Sequence, residues 1–108
     1  MLLAVPFPPR DVKISDCSDW TVKLSWLPDS SNDASITHYL IEQQSDGNPV
    51  VFRLLLNVTN SSTTSVTLNL TRGSVLRFRV KAVNSVGGSR PSLTVETTCD
   101  SNKTKIGM

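Results

Sequence analysis

Leu76-Arg77-Phe78-Arg79-Val80-Lys81-Ala82 decides the fold. Its apolar residues, Leu76, Phe78, Val80 and Ala82, alternate with the basic Arg77, Arg79 and Lys81. Side chains of an extended strand leave opposite faces in turn, so this period of two predicts a strand with one buried and one wet face. Upstream, Val66-Thr67-Leu68-Asn69-Leu70 alternates again and turns Asn69 outward. Residues 50–57 are nearly continuous apolar, which fixes no face. Residues 36–44 place Tyr39 and Ile41 inward. Residues 20–26 set Trp20, Val22, Leu24 and Trp26 against Thr21, Lys23 and Ser25. Val12 and Ile14, after Pro8-Pro9, begin the series. Downstream, residues 89–98 form a last strand, which Pro91 makes an edge or a break because it has no N–H to donate.

No helical period is sustained. Seven short strands with turn signals roughly every 8–12 residues form the pattern of an all-β, immunoglobulin-like sandwich. A three-stranded sheet packed on a four-stranded one would enclose the inward residues. The chain has 108 residues, enough for one core. Residues 1–7 read as a linker cut from a longer chain, 8–99 as the domain and 100–108 as a polar tail.

The formal net charge is only +2, so no strong field points to nucleic acid as a partner. No apolar run approaches the ~20 residues that cross a bilayer, so membrane association is expected only through a parent chain. Met1-Leu2-Leu3-Ala4-Val5 has no basic n-region and is too short for a signal peptide. Cys17 and Cys99 bracket nearly the whole domain and form no C-x-x-C motif. They fit either a bridge, closing a loop of ~80 residues worth at most ~4–5 kcal/mol, or two buried thiols in a reducing compartment. Sequons at Asn57, Asn60, Asn69 and Asn102 fit N-x-[ST] and favour the oxidising side.

Leu24-Ser25-Trp26 and Ile36-Thr37-His38-Tyr39-Leu40-Ile41-Glu42 resemble the second and third strands of fibronectin type III domains. Phe78-Arg79-Val80-Lys81-Ala82-Val83-Asn84-Ser85-Val86-Gly87 resembles that family's sixth strand and following loop, and Ser89-Arg90-Pro91-Ser92 its last strand. The likeness covers roughly residues 8–98. Within the family, the Ile36–Glu42 and Ala82–Ser92 runs are most similar to the domains of neural immunoglobulin-superfamily adhesion molecules of the neurofascin and neuroglian kind. Leu76 stands where the family usually has a tyrosine whose hydroxyl ties down a corner. Neither Arg-Gly-Asp nor Trp-Ser-x-Trp-Ser occurs. The resemblance implies that the first and seventh strands end at one pole, which would bring Cys17, just past the first strand, beside Cys99.

A catalytic site needs a nucleophile, a base and a group to orient them. The lone histidine, His38, falls on an outward position, and no zinc or calcium pattern is present. The chain is therefore expected to be no enzyme and to need no cofactor. The resemblance implies a binding and spacer module of a cell-surface adhesion molecule or receptor. Its partners would be extracellular proteins, homophilic contacts included. The alternatives are an intracellular domain of a muscle or filament scaffold, and an accessory domain of a receptor kinase or phosphatase. Arg77, Arg79 and Lys81 form a basic stripe that pairs across strands with Glu42 or offers a surface to an acidic partner such as a sulfated glycan.

Overall fold

A computed structural model describes residues 4–18, 21–44, 51–69 and 76–97. Among these residues seven strands run in order: β1 (Arg10–Ser18), β2 (Thr21–Leu27), β3 (His38–Gln44), β4 (Phe52–Val58), β5 (Ser65–Asn69), β6 (Leu76–Val83) and β7 (Val95–Thr97). They form a three-stranded sheet, β1-β2-β5, and a four-stranded sheet, β4-β3-β6-β7. All named pairings are antiparallel.

The expected alternation builds the core. Val22, Leu24 and Trp26 from β2 meet Tyr39 and Ile41 from β3 and Phe78, Val80 and Ala82 from β6, with Val58 and Leu68 completing the cluster. Val12 and Ile14 of β1 pack against it, half-buried. Burying apolar area at roughly 25 cal/mol per Å² is the main force holding the sheets together. The Trp26 and Tyr39 rings lie with centroids 5.3 Å apart, tilted by 59°, an arrangement that suits the ring quadrupoles.

Three local readings change. β1 extends to Ser18, so Cys17 lies within the strand and not past it. The pairing of Cys17 with Cys99 lies outside the described residues, as do Trp20 and Asn102. β4 runs to Val58, one residue beyond the expected end at Asn57. The last strand is shorter than expected, Val95–Thr97 against residues 89–98.

Serine hydroxyls explain that shortening. Ser92 N–H donates to the Val80 carbonyl at 2.8 Å, and Val80 N–H donates back to Ser92 Oγ at 2.9 Å. Ser89 and Ala82 repeat the exchange at 2.7 and 3.0 Å. Two hydroxyls thus stand in for strand carbonyls beside Pro91, and the buried β6 amides keep their partners.

β1 carries two register shifts against β2, between Arg10 and Lys13 and between Ser15 and Ser18. Asp11 (φ 52°) and Asp16 (φ 54°) sit there in left-handed backbone. Each shift fits one extra residue, a bulge that twists the edge. Asp tolerates this conformation, and a β-branched residue does not. Asp16→Val is expected to cost about 1–2 kcal/mol in urea denaturation, whereas Asp16→Gly should be close to neutral.

Candidate interaction surface

β6 places Arg77, Arg79 and Lys81 on the outer face of the four-stranded sheet, and the register sets a carboxylate opposite each arginine and Leu40 opposite Lys81. Arg77 lies opposite Glu96 and Arg79 opposite Glu42. Arg77 Nε donates to Glu96 Oε1 at 2.9 Å, Arg79 Nε to Glu42 Oε1 at 2.6 Å, and Lys81 Nζ stands 3.2 Å from Glu42 Oε2. The Arg79 guanidinium also lies 3.8 Å from the centroid of the Phe52 ring, a cation–π contact. Among the described residues the stripe is therefore a paired network, three cations on two carboxylates.

Glu42 is the centre of that network. Burial by itself would raise its carboxyl pKa, but the hydrogen bonds and charges of Arg79 and Lys81 outweigh it and hold the group below its ordinary value. A depressed folded pKa contributes stability that is complete above the unfolded value, about 4.3, and is lost as pH falls through the folded one. Glu42→Gln is expected to cost about 1–2 kcal/mol at pH 7. The deficit should shrink as pH falls below about 4, measured by denaturant titration across pH.

A second ordered region is built on Asn84, which is 4% exposed. Its Nδ2 donates to the carbonyls of Ala4 (2.8 Å) and Ser31 (3.0 Å), and its Oδ1 accepts from the N–H groups of Val86 (2.8 Å) and Gly87 (3.2 Å). Phe7 N–H donates to the Ser30 carbonyl at 2.9 Å, and Asn32 Nδ2 to the Val5 carbonyl at 2.7 Å. Residues 4–7, ahead of the expected boundary at residue 8, are thus bonded to the loops after β2 and β6. Gly87 has φ 156°, and a Cβ there would sit 3.4 Å from Val5 Cγ1. Placing Asn84 only in the loop that follows the sixth strand misses this role.

The remaining candidates lie apart. Asn57 is exposed on β4, Asn60 is exposed in the turn that follows, and Asn69 is exposed at the end of β5. The Asn60 Oδ1 accepts from Ser62 N–H at 2.9 Å. On the outer face of the three-stranded sheet, Lys13, Lys23, Ser25 and Ser65 line a depression of about 340 Å³. His38 Nδ1 shares a hydrogen bond with Thr37 Oγ1 at 2.7 Å.

Two antiparallel sheets of three and four strands, closed around Trp26 and Tyr39, define an immunoglobulin-like β-sandwich. The fibronectin type III domain model matches residues 7–98. The chain belongs to the fibronectin type III family. It is 37% identical over 94 residues to the neuronal cell adhesion molecule of Gallus gallus, covering 85% of this chain and 7% of that protein. Neurofascin of Gallus gallus is 35% identical over 92 residues, covering 84% of this chain and 7% of its own length. Among solved structures, titin kinase and its flanking domains superpose with a TM-score of 0.76 at 33% identity, covering 94% of this chain and 18% of that one. The chain thus spans only about 7% of the curated relatives it matches. Family, sandwich and likeness to neural adhesion molecules agree with the expectations from sequence.

Proposed function

We propose that the chain is a non-catalytic extracellular module of a cell-surface adhesion molecule or receptor, binding other surface proteins and spacing neighbouring domains. The domain-long identity to neuronal cell adhesion molecule carries this reading. The sandwich supplies a rigid body, and the paired face on β6 and the loops around Asn84 supply surfaces of fixed shape. Extracellular proteins, further copies of the parent among them, are the proposed partners. A sulfated glycan is a second partner class for Arg77, Arg79 and Lys81, whose three cations face the two carboxylates of Glu42 and Glu96.

The test is the redox state of Cys17 and Cys99 in protein from its natural source. An intact mass lighter by two hydrogens than the reduced chain supports the extracellular reading. Two reduced thiols would overturn it in favour of a scaffold inside the cell, a second reading that the likeness to titin favours.

A further inference from the structure

Among the described residues, three of the four sheet edges are guarded. β1 has its two register shifts and carries Arg10, Asp11, Lys13 and Asp16. β7 is three residues long, includes Glu96 and follows Pro91. β5 is five residues long and exposes Thr67 and Asn69. β4, the remaining edge, runs for seven residues with Arg53 its sole charge, and Leu54, Leu55 and Leu56 are 56%, 42% and 38% exposed. An uncovered apolar edge is a template for pairing with other chains, and natural proteins cover or charge such edges.

β4 carries its own means of cover. Asn57-Val58-Thr59 is a sequon within and just beyond the strand, and Asn57 is exposed. Three residues of regular strand would put Leu54 and Asn57 on opposite faces. The register shift between Ile41 and Glu42 changes that: Leu54 lies opposite Glu42 and Asn57 opposite Leu40. Leu40 and Glu42 share the outer face, so Leu54 and Asn57 share it too, with Leu55 as the extra residue. Val58 is buried opposite Tyr39 and anchors the strand next to Asn57.

We propose that Asn57 carries an N-linked glycan whose inner sugar lies over Leu54 and half-buried Leu40 and closes the β4 edge to self-association. The proposal rests on the extracellular reading above. In the transfer, Asn57 Nδ2 attacks C1 of a polyprenyl-diphosphate-linked oligosaccharide. The C1–N bond forms, the C1–O bond to the diphosphate breaks, Nδ2 loses one proton, and the polyprenyl diphosphate leaves. The sugar ring presents C–H groups on one face, which suits the leucine surface, while its hydroxyls face water and add bulk at the edge. Asn60 lies beyond the strand in the next turn, and Asn69 lies on the other sheet, so neither takes this place.

The test is secretion of the full chain from eukaryotic cells behind a supplied signal sequence, with glycopeptide mass spectrometry and sedimentation velocity over a concentration series. Asn57 is expected to carry sugar and the secreted chain to be monomeric. Asn57→Gln should shift to concentration-dependent dimers and larger species, and Leu54→Lys added to Asn57→Gln should restore the monomer. If Asn57→Gln is not secreted, bacterial chain without sugar, with and without Leu54→Lys, gives the same comparison. An empty Asn57, or a sugar-free chain that stays monomeric, overturns the proposal. The supplied signal sequence makes these outcomes independent of natural location, which the thiol state in natural protein decides separately.

Discussion

Trp26→Ala is expected to cost about 3–5 kcal/mol, a large part of the 5–15 kcal/mol that holds a small domain folded. The indole is 1% exposed at the centre of the cluster, and Tyr39 packs on it. Removing it leaves a cavity bounded by both sheets that neither can fill without breaking register. Urea denaturation followed by far-ultraviolet dichroism should show the lower midpoint with an unchanged slope. Trp26→Phe should cost far less. The buried Trp26 Nε1–H meets no hydrogen-bond acceptor among the described residues, and an unmet donor already carries a penalty of about 1–3 kcal/mol. Phenylalanine keeps the ring contact and removes that donor. Burial pushes the Tyr39 hydroxyl above its usual pKa, and the adjoining Trp26 side chain works against that push, although the pair falls short of hydrogen-bond geometry.

Asn84→Asp is the second large effect, expected at about 3–5 kcal/mol near neutral pH. The substitution keeps shape and keeps the oxygen that accepts from Val86 and Gly87. It replaces the amide nitrogen with an oxygen facing the Ala4 and Ser31 carbonyls. A buried carboxylate against two carbonyls has its folded pKa raised. A raised folded pKa makes stability greatest below the unfolded value, about 3.9, and loses it as pH rises through the folded value. The deficit against the natural chain should therefore be smallest in acid and largest at neutral pH, read from denaturation midpoints at each pH. Amide exchange should quicken in residues 4–7 before the core strands respond.

Much of this architecture was legible because β2, β3 and β6 each have a strand on either side and one face on the core. Such strands must alternate, and Leu24, Ile41 and Val80 betray their parity at once. β4 lacks both conditions. It is an edge, its leucines face partly into water, and the shift at Leu55 breaks the period, so no alternation could be read. The bulges of β1 leave no mark on the hydrophobic pattern because aspartate, not glycine, takes the left-handed positions. Asn84 was half legible. Its bonds to Val86 and Gly87 are a local Asx-type turn, but those to Ala4 and Ser31 span 80 and 53 residues. The neutralised stripe needed register: only pairing sets Glu42 against Arg79 and Glu96 against Arg77.

Were the domain held at both ends, as the proposed spacer role requires, tension reaching residue 4 would meet the Asn84 amide before the first rung of β1. The load would then pass into the loop that follows β6, a central strand gripped by a neighbour on either side. One side chain of a few atoms would thus act as a rivet, handing the pull on the polypeptide to the part of the sandwich best able to resist being peeled.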